Sequence, residues 1–174
     1  MRVREATGVD VEALAELAAV TFPLACPPHT TDAAKAAFIA ANLSAASFAA
    51  YLADPRRALF VAEDDGALLG YTMLVAGEPY DPDVAAVLTL RPTVELSKCY
   101  VHPDAHGGGI AAALMEASID HARAGAACGM WLGVNQENAR AQRFYGKHGF
   151  ARVGVKRFLV GDRYEDDYVF ERAL

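Results

Sequence analysis

The sequence predicts an α+β fold: a mixed, mostly antiparallel central sheet flanked by helices, in the order β-α-α-β-β-β-α-β-α-β-β. Three observations carry this. Apolar β-type runs are joined by turn signals at Asp64-Asp65-Gly66-Ala67 and Gly161-Asp162. One passage, from Val94 to Val134, runs strand, glycine turn, helix, strand and so supplies a β-α-β core. The helical stretches have apolar residues three and four apart. No repeat, linker or low-complexity tail appears, so residues 1–174 read as one domain.

Arg2–Ala6 suggests a short strand, and Thr7 and Asp10 offer N-cap oxygens for a helix from Val11 to Val20. Pro23, Pro27 and Pro28 then break the chain. Ala-rich helical pieces follow near Asp32–Leu43 and Ser47–Ala53, the second ended by Asp54-Pro55. Ala58–Glu63 and Leu68–Ala76 are β-type runs, and Glu78–Pro92 reads as an irregular loop with a short helical turn. Val94–Val101 is a strand. Ile110–Ala124 is a helix with Ile110, Ala113, Leu114, Ala117 and His121 along one stripe. Met130–Val134 is a strand, and Asn138–His148 a helix stopped by Gly149. Ala151–Val160 and Tyr164–Arg172 close the chain as a hairpin.

Of the 174 residues, 53% are hydrophobic and 22% charged, as in an ordinary globular protein, and the net charge is −6. That balance argues against extended nucleic-acid binding, which needs clustered Lys and Arg. No apolar run reaches the roughly 18 residues of a membrane span, and the N-terminus lacks a signal-peptide core, so no membrane partner and a cytoplasmic location are expected. Cys26, Cys99 and Cys128 are odd in number and lack metal-type spacing. They read as small buried hydrophobes, with neither a disulfide nor a metal site expected.

The most informative stretch is Cys99-Tyr100-Val101-His102-Pro103-Asp104-Ala105-His106-Gly107-Gly108-Gly109-Ile110-Ala111. It leads from a strand into three glycines and then an apolar helix, exposing backbone N–H groups where a phosphate could sit. It is not a P-loop, because Ile110-Ala111 stands where Lys-Ser/Thr is required. Nor is it a dinucleotide fingerprint, because it follows the fourth strand and lacks the third spaced glycine. By themselves three glycines fit a flexible turn equally well.

The flanks are more specific. His106-Gly107-Gly108-Gly109-Ile110-Ala111 resembles the Gln/Arg-x-x-Gly-x-Gly/Ala motif of the GCN5-related N-acetyltransferases (GNAT family). Downstream, Trp131-Leu132-Gly133-Val134-Asn135, then Asn138, Ala141, Phe144-Tyr145 and Gly149-Phe150, resembles the second half of the same family. The resemblance implies a GNAT-type sheet over nearly the whole chain and acetyl-coenzyme A as cosubstrate, with no metal. It implies coenzyme contacts from Tyr100, Val101, His106, Gly107, Gly108, Gly109, Ile110, Ala111, Asn138, Ala141 and Phe144. The main chain of Cys99 and Val101 would bond the pantetheine arm, provided the strands around Val101 and Leu132 splay apart. Two departures stand out: His106 replaces the usual Gln or Arg, and Gly108 a frequent Lys or Arg, so fewer fixed cations are expected at the diphosphate. His106 reads either as a pH-dependent contact or as a solvated loop residue.

Amine attack on a thioester needs a base for the amine, a donor for the oxyanion and an acid for the leaving thiolate. Tyr145, with a pKa of about 10, is the expected acid and shares a helix face with Asn138 and Ala141. The resemblance points to the same Tyr, and to the backbone N–H of Cys99 as oxyanion donor. Glu95 is the expected base, on one strand face with Ser97, Cys99 and Val101 by simple alternation. An acetyl-cysteine route through Cys99 is the minor alternative. His102 and His148 read as structural or surface residues, His29 and His121 carry no argument, and Trp131 is expected to pack under the coenzyme strand.

The acceptor is expected to be a small-molecule amine. Glu78, Asp81, Asp83, Asp162, Glu165, Asp166 and Asp167 would suit a cation, or serve only as solvated turn residues. Thr21-Phe22, residues 47–55, Trp131–Val134 and Phe158-Leu159-Val160-Gly161-Asp162 resemble the bacterial spermidine/spermine N-acetyltransferases of the sporulation-regulator type, which points to a polyamine. Peptide or protein N-termini, other metabolites, another acyl group and a non-catalytic acyl-coenzyme A sensor remain the competing readings. The family resemblance also leaves a homodimer open.

Overall fold

A computed structural model describes residues 1–174, the Phe158 side chain excepted. Strand β1 (Arg2–Glu5) is followed by helices α1 (Val11–Ala25), α2 (Asp32–Asn42) and α3 (Ala45–Ala53). Then come β2 (Arg57–Asp64), β3 (Ala67–Ala76), α4 (Pro82–Val87), β4 (Thr93–Val101) and α5 (Ile110–Ala124). The chain closes with β5 (Gly129–Asn135), α6 (Ala139–Lys147), β6 (Ala151–Val160) and β7 (Arg163–Ala173). The strands form one seven-stranded sheet, ordered β1-β2-β3-β4-β5-β7-β6, antiparallel except where β5 runs parallel to β4. This is the predicted mixed α+β architecture.

The sheet buries both faces. On one, Leu114, Met115 and Ile119 of α5 pack onto Leu74, Leu96, Met130 and Leu132. On the other, Leu14, Leu17 and Phe22 of α1 and Phe48 of α3 cover Leu59, Val61, Tyr71 and Met73. Each such side chain, fully buried, stabilises the fold by about 1.5–3 kcal/mol. Near the open end, Val84 and Leu88 pack with Trp131 and Val169. The buried Glu171 carboxylate accepts bonds from the N–H groups of Thr89 and Leu90 and from the Thr89 hydroxyl, which fixes the loop between α4 and β4.

Four local expectations need correction. Helix α1 runs past Val20 through Pro23 to Ala25. A proline in the last turn removes a single backbone donor, while Phe22 gains burial and stacks on Phe38 at 4.5 Å. Asp10 does not cap α1; it turns back to the Thr7 N–H at 2.7 Å and to Arg4 at 2.8 and 2.9 Å. The buried stripe of α5 is Ile110, Leu114, Met115, Ser118, Ile119 and Ala122, so Ala113, Ala117 and His121 lie to its side. Ser118 belongs to that stripe because its hydroxyl meets the Thr72 hydroxyl at 2.9 Å. Cys128 is exposed, whereas Cys26 and Cys99 are half-buried, and all three are free.

Candidate active site

Strands β4 and β5 pair only through Thr93–Gly129, Val94–Met130 and Glu95–Trp131, then part. The splay that coenzyme binding would require is therefore built into the sheet. On its other edge β4 stays paired with β3 up to Val101. His102 donates its N–H to the Leu69 carbonyl at 2.8 Å, which marks that pair as a hydrogen-bonded one. Alternation along an antiparallel ladder then makes Val101–Gly70 and Cys99–Thr72 non-bonded pairs. The N–H and C=O groups of Cys99 and Val101 consequently point away from β3, into the notch.

The glycine turn sits at the wide end of that notch. Gly107 and Gly109 adopt φ of +85° and +77°, the left-handed region that side chains resist. Gly109 precedes α5 without any side-chain cap. The N–H groups of Ile110, Ala111 and Ala112 accordingly have no partner within the helix, while the Ile110 side chain is buried in the core. His106 is an exposed loop residue, yet its ring is engaged on both sides. Its Nε2 lies 3.0 Å from the Val101 carbonyl oxygen and its Nδ1 lies 3.2 Å from the guanidinium of Arg140. Arginine can only donate, so Nδ1 accepts and the proton sits on Nε2, which donates to Val101. Arg140 thus brings to the turn a cation that the glycine motif itself does not carry. It lies two residues beyond the Asn138 cap, on an exposed first helical turn, and no local motif marks it.

Helix α6 supplies the third wall. Asn138 caps it by accepting from the Ala141 N–H at 3.1 Å. Asn138, Ala141 and Tyr145 line a cavity of about 170 Å³ with Cys99, Tyr100 and Asp167. They also line an outer groove of about 240 Å³ with Val101, His106, Ala111, Arg140 and Phe144. Tyr100 lines both, its ring stacked on Tyr71 at 5.6 Å. Tyr145 and Cys99 lie on the wall of the same inner cavity. Burial pushes the Cys99 thiol up to about 12 and the Tyr145 phenol well above its usual value. Both groups are protonated at neutral pH, so Tyr145 can donate a proton and Cys99 is a poor nucleophile.

On the opposite face a cavity of about 460 Å³ is lined by Tyr51, Tyr80, Glu95, Lys98, Trp131, Lys156 and Asp167, among others. Glu95 lies here, not on the Cys99 face. Met73 pairs with Lys98 and Leu74 with Leu96, which leaves Ser97 as a bulged residue without a partner. The extra residue reverses the alternation, so Glu95 shares its face with Lys98 and Tyr100, while Cys99 and Val101 share theirs with Leu96. Trp131 pairs with Glu95 and faces this cavity and α4 rather than lying under the coenzyme strand. Asp167 and Ser97 line both this cavity and the inner one, joining the two faces. Burial raises the Asp167 carboxyl to about 6 and lifts Glu95, against the pull of Lys156 on each. Burial lowers Lys98 to about 8 although Glu95 opposes it.

Of the acidic residues expected at the acceptor, Glu78 lines the Glu95 cavity and Glu165 the inner one, but each is already engaged, and Asp81 serves a helix. Glu78 pairs with Arg91 at 2.8 Å, Asp81 caps α4, and Glu165 meets His29 at 2.6 Å. His102 accepts from the Asp104 N–H, and His148 Nδ1 contacts the Phe144 carbonyl at 2.9 Å, both local structural roles. A wider cavity, about 560 Å³, opens around Leu59, Leu74 and His121, but it contains neither the glycine turn nor Tyr145. Among the described residues no cluster of His, Cys, Asp or Glu could hold a metal ion, and no single helix is long and apolar enough to cross a membrane.

A parted β4–β5 pair, fed by an uncapped helix start and closed by a protonated tyrosine, is the architecture of an acyl-transfer protein. The model described as the Acetyltransferase (GNAT) family matches residues 12–150, and the chain belongs to that family. An uncharacterized N-acetyltransferase of Mycobacterium tuberculosis is 48% identical over 165 residues, covering 95% of this chain and 98% of its relative. The PaiA N-acetyltransferase of Thermoplasma acidophilum, solved with coenzyme A, superposes with a TM-score of 0.78 at 18% identity, covering 99% of this chain and 98% of that one. A ribosomal-protein-alanine N-acetyltransferase of Brucella melitensis gives 0.72 at 23% identity over both full chains. The family and these relatives make the protein an acyltransferase of the N-acetyltransferase type.

Proposed function

We propose that this protein transfers an acetyl group from acetyl-coenzyme A to the primary amine of a small molecule. Acetyl-coenzyme A, when bound, supplies an activated thioester. The residues fit it on their own chemistry. The unpartnered N–H groups from the glycine turn through Ala112 suit a diphosphate, with Arg140 and the helix dipole adding positive charge. The Val101 N–H and the Cys99 carbonyl suit the amides of the pantetheine arm, and Asn138 adds a polar contact from α6. The Val101 carbonyl is already taken by His106.

One observation carries the reading: Tyr145 and Cys99 line one cavity at the place where the two strands part, and burial holds the phenol protonated there. From there Tyr145 returns a proton to the leaving sulfur, and the Cys99 N–H donates to the oxygen on which charge develops. Glu95 and Asp167 are the carboxylates on the acceptor side, and Asp167 spans both faces. Asp167, which reaches the inner cavity, accepts the proton that the amine must lose. Direct transfer is favoured over an acetyl-cysteine because burial holds the Cys99 thiol protonated.

A long polycation is the less fitting acceptor. Glu78 and Glu165 are paired with Arg91 and His29, while Lys98 and Lys156 stand in the cavity. The test is release of free coenzyme A thiol when the protein is mixed with acetyl-coenzyme A and a panel of primary amines. Tight coenzyme binding with no release across the panel would replace the enzyme by an acyl-coenzyme A sensor.

A further inference from the structure

The acceptor cavity holds charges of both signs. Glu95 and Asp167 face Lys98 and Lys156 inside one cavity of about 460 Å³. At its rim Arg56 and Arg57 share the one Asp54 carboxylate at 3.0 and 3.2 Å, which leaves one positive charge there, while Glu78 bonds Arg91. The four inner groups themselves sum to zero. A dication entering such a site carries charge that nothing balances, whereas an amine that also carries an anion adds none.

Two buried polar atoms point the same way. Trp131 is 3% exposed and its indole Nε1–H has no partner; Asp167 is 7% exposed and its Oδ1 has none. Both line this cavity. Buried donors and acceptors are nearly always satisfied in folded proteins, so this lone donor and lone acceptor, shielded from solvent but carried by residues of one cavity wall, are unmet demands that an entering ligand could satisfy. The Lys98 ammonium, over the Tyr51 ring at 5.6 Å, adds a cation with no hydrogen-bond partner among the described residues. Gly133 leaves the room: a Cβ there would come within 3.3 Å of the Lys156 side chain and 3.4 Å of the Asp167 carboxylate.

We infer that the acceptor carries an anionic group, a carboxylate or phosphate, besides its primary amine, with Lys98, Lys156 and the Trp131 indole holding the anion and Asp167 receiving the ammonium. This rests on the transferase reading and narrows its substrate class. Asp167 also lines the inner cavity with Tyr145 and Cys99, so an amine held there lies on the side from which the thioester is attacked. The anion is left among the lysines and aromatic rings of the outer cavity.

The test is calorimetric binding to the full chain saturated with coenzyme A, using matched probes. These are phenylalanine against phenethylamine, lysine against cadaverine, and phosphoethanolamine against ethanolamine. The expected result is that the anion-bearing member of at least one pair binds about tenfold or more tightly. The pair that does so tells carboxylate from phosphate. Lys98→Met should cut that preference to within about twofold, and Lys98→Arg should keep most of it. Equal binding in every pair, preference for the plain amines, no binding by any anionic probe, or a preference untouched by both Lys98→Met and Lys156→Met overturns the inference. The wild-type pairs decide alone if a variant fails to fold. Thiol release is read in parallel. Release with plain amines only keeps the transferase and overturns the anion subsite, whereas anion-dependent binding without release keeps the subsite and overturns the transferase.

Discussion

His106 donates from Nε2 to the Val101 carbonyl at 3.0 Å, so a side chain of the glycine turn ties down the last residue of β4. With Nδ1 facing Arg140, the ring bridges the turn, the strand and α6. His106→Ala should raise the KM for acetyl-coenzyme A by about three- to tenfold, the scale of one or two lost polar contacts, with kcat nearly unchanged. His106→Gln should recover most of the loss if its amide reaches Val101. Initial-rate kinetics at fixed acceptor checks both.

Arg140→Ala should weaken coenzyme A binding by about three- to tenfold, and more at low salt than at high salt, because an exposed cation acts through a screened field. Titration calorimetry at two ionic strengths reads it. The same substitution should leave acceptor KM unaltered, since Arg140 lines only the coenzyme side.

Asp167 combines an activity effect with a stability effect. Burial raises its carboxyl to about 6 in the folded chain, against about 4 when unfolded. Between those values the folded state binds the proton more tightly, so this group lowers stability as pH rises through the window, and the loss is complete above about 6. Asp167→Asn should therefore stabilise the protein at pH 7 by about 1–3 kcal/mol and lower kcat/KM at least about tenfold. In the wild type, kcat/KM should climb as pH rises through about 6, and that limb should disappear in Asp167→Asn. Thermal denaturation and a pH–rate profile check the pair.

Lys98 titrates the other way. Desolvation lowers its ammonium to about 8, so the acceptor KM should rise above pH 8 as the charge is lost. Lys98→Met should show the higher KM at every pH and no alkaline rise. Tyr145 does not supply that limb, because burial holds its phenol well above its usual value.

Much of this molecule was legible in its sequence, for local reasons. The conformations of Gly107 and Gly109, the Asn138 cap and the Asn138–Ala141–Tyr145 face are set by residues a few positions apart, and His106 and Ala111, which flank the glycines, line one groove with that face. Glu95 was put on the wrong face because alternation assumes an unbroken ladder, and the bulge at Ser97 depends on how β3 packs, which β4 alone does not encode. Lys98, Lys156 and the orphaned atoms of Trp131 and Asp167 meet only when β4, β5, β6 and β7 lie side by side. Glu78 and Glu165 line the cavities as expected, but their pairing with Arg91 and His29 depends on contacts that the local sequence does not encode.

The most direct test follows the acceptor itself by mass spectrometry after incubation with acetyl-coenzyme A and either the wild type or Tyr145→Phe, with coenzyme binding confirmed for both. The account predicts one acetyl group added to the amine by the wild type, and a rate about 10²-fold or more lower for Tyr145→Phe. Equal rates for the two proteins would contradict it.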